Sequence, residues 1–263
     1  MPRFAANLTL MFTEVPFLDR FGEAAKAGFD AVEFLFPYEH PAEAIAERLD
    51  THGLQMALFN MPPGDWKAGE RGIGAIPGRE EEFRANAANA LDYARMLRPR
   101  CVHAMAGITK GLDQDECRRV FVDNLRFAAD LFAPEGITIL TEPLNTRDAP
   151  GYFIAHQRDG VALCDLVDRP NVSLQFDVYH AQIMDGDLCR LIEALAGRFA
   201  HVQIASVPER HEPSEGEINY ARIFETLDAT GYDGFVGCEY NPRAGTTAGL
   251  GWFAPYRRSS AAA

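Results

Sequence analysis

Four strand-forming runs in the second half of the chain each end on, or carry near the end, a side chain whose oxygen can bind a divalent cation. ITILTE ends at Glu142, VSLQFD at Asp177 and FVGCE at Glu239, and AHVQIA carries Gln203 near its end. Side chains alternate faces along a strand, so residues two apart share a face. Ser173, Gln175 and Asp177 then lie on one face, with Val172, Leu174 and Phe176 on the other. By the same phase His201 and Gln203 oppose Val202 and Ile204, and Glu239 opposes Val236 and Cys238. Thr138, Leu140 and Glu142 face away from Ile137 and Ile139. A single glutamate ending a strand caps a helix as readily as it binds an ion. Four oxygen donors in phase on consecutive strands call for a shared centre.

Three carboxylates and one amide oxygen make a hard donor set suited to Mg²⁺, with Mn²⁺ and Co²⁺ as alternatives; the Cys and multiple His that favour Zn²⁺ are missing from it. A cation held by Glu142, Asp177, Gln203 and Glu239 polarises a substrate carbonyl as a Lewis acid. Glu142 and Glu239, facing each other across that centre, can act as general base and general acid, one taking a proton from carbon and the other returning one. Such a pair suits aldose–ketose isomerisation, or epimerisation beside a carbonyl. No serine or cysteine nucleophile motif and no phosphate-cradling glycine loop is present.

Further candidates surround this set. His180 follows Asp177 by three residues and is expected to touch substrate or orient a ligand. The loop 205–220 carries Arg210, whose guanidinium suits a substrate carboxylate. The Gly- and Pro-rich stretch 61–78 contains Trp66, Lys67, Glu70 and Arg71 and is expected to form a lid, with Trp66 and Glu70 as substrate contacts. His201 is expected to be a hydrogen-bonded core residue, and Glu33 and His103 to line the pocket.

These residues need a scaffold that gathers strand ends. Strand and helix patterns alternate from end to end. Strands are expected at 3–10, 31–36, 55–60, 101–107, 137–142, 172–177, 200–205 and 235–239. Helices are expected at 16–27, 42–52, 79–97, 114–132, 157–167, 187–196 and 220–230, with a last one starting near Thr246. Eight such units in 263 residues match a single (β/α)₈ TIM barrel, whose strand ends meet around one opening. No linker divides the chain, so residues 1–257 are read as one catalytic domain and 258–263 as a disordered tail.

A net charge of −13 disfavours nucleic acid and anionic membranes as partners, and no apolar run is long enough to span a bilayer. The five cysteines are widely spaced without a CxxC, which fits reduced thiols in the cytoplasm, with Cys101 and Cys238 as buried strand residues. A homo-oligomer is left open.

The chain resembles the hydroxypyruvate isomerase family, which includes the 2-oxo-tetronate isomerases, among the xylose-isomerase-like TIM barrels. The resemblance is carried by RFAANLTLMF (3–12), VEFLFPY (32–38), GDWKAGERGI (64–73), PGREEEF (77–83), EPLNTRDAPGY (142–152), FDVYHAQ (176–182), HVQIASVPERHEPSEGEINY (201–220) and GCEYNPR (237–243). It implies metal binding by Glu142, Asp177, Gln203 and Glu239, and Glu142 and Glu239 as the proton-transferring pair. It also implies a small anionic hydroxy-oxo acid as substrate: hydroxypyruvate, giving tartronate semialdehyde through an enediol, or alternatively 2-oxo-tetronate. The amino-terminal MPRFAANLTLMFTEVPF and the late GLGWF look more like the oxo-tetronate group, the central motifs more like the hydroxypyruvate group. The main expectation is hydroxypyruvate. Its rivals are a ketose 3-epimerase, an abasic-site DNA-cleaving enzyme and a non-catalytic sugar-acid binder.

Overall fold

A computed structural model describes residues 2–257, and the expected tail at 258–263 lies outside them. Eight parallel strands close into a barrel in sequence order: β1 (Arg3–Asn7), β2 (Ala31–Phe34), β3 (Gln55–Asn60), β4 (Cys101–His103), β5 (Thr138–Thr141), β6 (Val172–Asp177), β7 (Phe199–Ile204) and β8 (Phe235–Cys238). Pairing of β8 with β1, Phe235 opposite Arg3 through Cys238 opposite Ala6, completes the ring. The expected TIM barrel is therefore the fold.

The helices α1 (Phe17–Ala27), α2 (Ala42–His52), α3 (Glu80–Leu97), α4 (Gln114–Phe132) and α5 (Gln157–Val167) run where their apolar periodicity places them. α3, for example, buries Phe83, Ala87, Ala90, Leu91 and Ala94 against the barrel wall. The chain between β6 and β7 holds two helices, α6 (Val178–Met184) and α7 (Leu188–Ala194), where the sequence pattern suggests one. α6 is a seven-residue turn of helix, too short to show periodicity. Its start is legible only through Asp177, whose carboxylate caps it by accepting from Tyr179 N–H at 2.8 Å. α8 (Tyr220–Ala229) follows β7. α9 (Thr246–Gly249) is a single turn that passes into a 3-10 stretch, Leu250–Tyr256, rather than a full closing helix. Phe253 of that stretch packs edge-on against Phe4 of β1 and sits against Phe29.

β1 and β4 fall furthest short of the expected strands, and β2, β5 and β8 lose one or two residues at their ends. β1 stops at Asn7 because the next residues turn, with Met11 N–H donating to the Asn7 carbonyl at 2.8 Å. β4 stops at His103, and its continuation makes isolated bridges from Ala106 to Gly72 and from Ile108 to Tyr152. The Ala106–Gly72 bridge pins the 61–78 segment over the barrel mouth, aided by Gly74 N–H to the Met105 carbonyl at 3.1 Å. Gly72 has φ +100°, and a Cβ there would collide with the Met105 carbonyl, so glycine is required for this close approach.

The barrel interior changes character along its axis. One layer is apolar: Ala5, Ala31, Ala57 and Phe235 form one cluster and Leu58, Cys101 and Leu140 another. Toward the carboxyl ends the buried interior becomes polar, with Asn7, Glu33, Asn60, His103, Gln175, His201 and Gln203. Buried polar groups are costly unless hydrogen-bonded, and Glu33 is the hub that satisfies three of them. Its Oε1 accepts from Asn7 Nδ2 at 2.9 Å and from Gln203 Nε2 at 2.8 Å, and its Oε2 lies 2.7 Å from His201 Nε2. His201 is thus the hydrogen-bonded core histidine expected, whereas Glu33 is sealed beneath the opening and does not line the cavity.

Gly237 of β8 makes room for this hub, since a Cβ there would overlap the Glu33 carboxylate. Gly237→Ala is expected to destabilise the fold by about 1–3 kcal/mol through overpacking. Urea denaturation checks this, and a change below about 0.5 kcal/mol would show that the carboxylate can move aside at little cost.

Candidate active site

At the carboxyl ends of the strands lies a cavity of about 280 Å³, lined by Glu142, His180, Arg210, Glu239, Trp66 and Arg71 together with Leu10, Leu35, Asn60, Met105, Leu144, Asp148 and Ala149. Another groove of comparable volume, between Cys164 and Arg198, lies on the opposite side, near the amino end of β6. It contains none of the candidate residues, and the chemistry belongs to the first cavity.

Glu142 and Glu239 each sit one residue beyond their strands, and Asp177 is the last residue of β6. All three are buried. The carboxylates of Glu142 and Asp177 and a ring nitrogen of His180 bring ligand atoms within 4.8 Å of one another. Glu142 Oε1 and Asp177 Oδ2 have no hydrogen-bond partner. Buried, unsatisfied carboxylate oxygens converging on one point are a cation-binding arrangement, because an ion supplies the missing partner.

Gln203 stands beneath them with its amide direction fixed. A carboxylate only accepts, so the group facing Glu33 must be the NH₂, and the carbonyl oxygen points the other way. That oxygen accepts from Gln175 Nε2 at 2.6 Å, which leaves its second lone pair available. The converging oxygens of Glu142 and Asp177 are hard donors and fit a divalent cation.

His180 is better described as a donor than as a ligand. The backbone N–H of Asn145 points at His180 Nδ1 at 3.1 Å, so Nδ1 must accept. Burial holds the ring neutral, with its pKa well below the usual histidine value. The one ring proton then sits on Nε2, which lies 3.6 Å from Asp177 Oδ2 and faces the cavity.

Arg210 is the only cation beside these carboxylates among the described residues. Its Nη2 donates to Glu239 Oε2 at 3.0 Å and lies 3.6 Å from Asp177 Oδ2. Its side chain passes over the Tyr179 ring at 4.8 Å, and Tyr179 in turn donates to Asp148 Oδ2 at 2.8 Å. The residue adopts φ +54°, a strained conformation held by its own backbone bonds to the Ser206 carbonyl and from Asn241 N–H. Arg210 thus lines the cavity with its guanidinium directed at the protein's own acids.

Glu70 is a correction to the sequence expectation. Its carboxylate is bound by Arg79 Nη1 at 2.5 Å and accepts from Asp65 N–H at 2.6 Å, and it does not line the cavity. The ion pair with Arg79 holds its pKa below the usual carboxylate value. Trp66 does line the cavity. The lid residue that sequence reading passed over is Arg71, beside Trp66 in the cavity wall. Its one sequence signal was its place in a charged, aromatic loop. His103 is buried beside Glu142, 3.7 Å from Oε2, but does not line the cavity.

A model of the xylose isomerase-like TIM barrel family matches residues 21–256. This chain belongs to that family. Within it, the chain is 54% identical to the 2-oxo-tetronate isomerase of Cupriavidus necator, covering 97% of this chain and 99% of the relative. It is 44% identical to the hydroxypyruvate isomerase of Escherichia coli, covering 98% and 100%. A crystal structure described as an AP endonuclease, family 2, from Brucella melitensis superposes with a TM-score of 0.97 at 63% identity, covering 98% of this chain and 100% of that one. The chain shares with this family the expected barrel, and its named curated relatives are isomerases.

Burial and mutual repulsion raise the pKa values of Glu142, Asp177 and Glu239, burial being the larger cause for each. Carboxylates with raised folded-state pKa values stabilise the cation-free protein below their unfolded pKa and lose that contribution as pH rises through the folded values. A cation competes with those protons. Mn²⁺ is therefore expected to raise Tm more at about pH 8 than at about pH 5.5. A Tm shift that is equal at both, or larger in acid, would contradict this.

Proposed function

We propose that this protein is an isomerase that moves the carbonyl of a short 2-oxo-3-hydroxy acid by one carbon, with Glu142 and Glu239 as its proton-transfer pair. The observation that carries the reading is two buried glutamates at the ends of β5 and β8, lining one cavity, with pKa values that burial raises above the usual carboxylate range. The chemistry balances on the chain's own groups. One glutamate removes the proton from C3, the C2–C3 bond gains double-bond character, and an enediol forms. The hydroxyl proton of C3 passes to solvent or a carboxylate while the C2 oxygen is protonated, and the second glutamate delivers a proton to C2. His180 Nε2–H faces the same space and serves as a hydrogen-bond donor to a substrate oxygen. Arg210 holds Glu239 in place through the 3.0 Å hydrogen bond and partly offsets the rise in its pKa.

A divalent cation, Mg²⁺ foremost, held by Glu142, Asp177, Gln203 and Glu239, would supply positive charge to polarise the substrate's carbonyl and hydroxyl oxygens. Four-carbon 2-oxo-tetronate is the favoured substrate, because the relatives of that name are 52–54% identical and the hydroxypyruvate isomerase of E. coli 44%. Hydroxypyruvate, the expectation from sequence, is one hydroxymethylene shorter and carries the same reacting atoms; a difference of that size amounts to about 1–3 kcal/mol in a pocket. The name of the Brucella structure raises DNA cleavage, which the net charge of −13 opposes. No helix of the described residues is long and apolar enough to cross a membrane. Free cysteines, three of them buried, support a reducing compartment, which we take to be the cytoplasm.

Glu142→Gln and Glu239→Gln are each expected to lower kcat on 2-oxo-tetronate by about 10²–10⁴-fold with an unchanged circular dichroism spectrum. Retention of near-normal turnover by either variant would remove that residue from the proton-transfer pair. A kcat/KM for hydroxypyruvate equal to or above that for 2-oxo-tetronate would reverse the order of substrates.

A further inference from the structure

Among the residues that line the cavity, Arg71 stands apart in its charge balance. Arg210 pairs with two carboxylates, those of Asp177 and Glu239, whereas Arg71 makes no ion pair among the described residues. One edge of its guanidinium is anchored: Nη1 donates to the Glu70 carbonyl at 2.9 Å and reaches the Trp66 carbonyl at 3.4 Å. Its Cζ lies 3.9 Å from the centroid of the Trp66 ring, so the plane is supported from below by the indole. Trp66 is itself braced by Phe36 at 5.1 Å. Nε and Nη2 remain uncommitted, and these are the two N–H groups on one edge of the fork that bind a carboxylate with two bonds.

The position is built rather than loose. Glu70 N–H donates to the Asp65 carbonyl at 3.0 Å and Gly72 N–H to the Pro63 carbonyl at 2.9 Å, which fastens the segment on both sides of Arg71. Glu70, the adjacent acid, is drawn away by Arg79 and so does not neutralise Arg71. The ion pair of Glu70 with Arg79 thus has a consequence for recognition: it leaves an arginine in the cavity wall without a protein counter-charge.

We propose that Arg71 is the residue that binds the substrate's carboxylate and so selects acids over neutral sugars, while Arg210 serves the carboxylates of the reaction centre. This rests on the acid-isomerase reading and deepens it. A 2-oxo acid carries its carboxylate next to the reacting carbons. Bringing that charge among Glu142, Asp177 and Glu239 without a dedicated cation would be repulsive. An arginine on the lid side supplies the charge without drawing on Arg210.

The test separates binding from turnover. Threonate, a four-carbon hydroxy acid without the 2-oxo group, is titrated calorimetrically into the full-length wild-type protein and into Arg71→Met, Arg71→Lys and Arg210→Met, each loaded with Mn²⁺. Arg71→Met is expected to weaken threonate by about 30-fold or more, with Arg71→Lys recovering part of the loss. The affinity of Arg71→Met for Mn²⁺ alone should stay within about twofold of wild type, because Arg71 touches none of the three carboxylates. Equal threonate affinity in wild type and Arg71→Met overturns the proposal, as does a loss confined to Arg210→Met. Absence of threonate binding to the wild type overturns it too. A wild type that binds threonate through Arg71 yet isomerises neither 2-oxo-tetronate nor hydroxypyruvate leaves the carboxylate site standing and refutes the isomerase reading instead.

Discussion

Three carboxylates confined in one dry opening repel each other, and the rest of the site is organised around that repulsion. Glu142, Asp177 and Glu239 are buried within reach of a single arginine, Arg210, so the described residues leave an excess of negative charge at the mouth of the barrel. In a medium of low polarity such an excess is resolved by protons or by a cation. Both resolutions serve an isomerase. Raised pKa values favour protons on the glutamates, and the unsatisfied oxygens of Glu142 and Asp177 suit a hard metal ion. The barrel makes this affordable because the three acids arise on different strands, each strand fixed by parallel pairing to its neighbours.

The floor of the site is a second electrostatic unit. Glu33 lies deeper in the barrel, and the hydrogen bonds from Asn7, Gln203 and His201 disperse its charge. This unit orients the Gln203 amide, and Gly237 leaves space for it on β8. Hydrogen bonds to charged groups contribute about 1.5–3 kcal/mol each, enough to fix one amide orientation over the other. The direction of the Gln203 amide is therefore set by residues in its own buried layer beneath the cavity.

Much of this was legible in the sequence, for identifiable reasons. Period-two alternation with a polar residue at the strand end marked Glu142, Asp177, Gln203 and Glu239, since strands are short and their phase is rigid. The helices α2, α4 and α5 were readable to the residue because their apolar faces repeat several times. α6 was missed because seven residues cannot display a period. The roles of Arg210, Glu70 and Arg71 were not readable, because each depends on which partner the folded loops supply. Arg79 claims Glu70, Glu239 and Asp177 claim Arg210, and Arg71 is left over. Loop pairing of this kind is decided by tertiary geometry, to which neither periodicity nor composition is sensitive.

The central claim is that two different glutamates handle the proton, and solvent deuterium reports on it directly. Proton NMR of 2-oxo-tetronate turned over by the purified protein in D₂O, with Mg²⁺ present, follows the hydrogen at C2 of the product. If one glutamate removes the C3 proton and the other supplies C2, the hydrogen delivered comes from solvent, and the product is expected to carry deuterium at C2 from the first turnovers. Product that retains the substrate's own C3 hydrogen at C2 would mean direct transfer between the carbons and would contradict the paired-glutamate account.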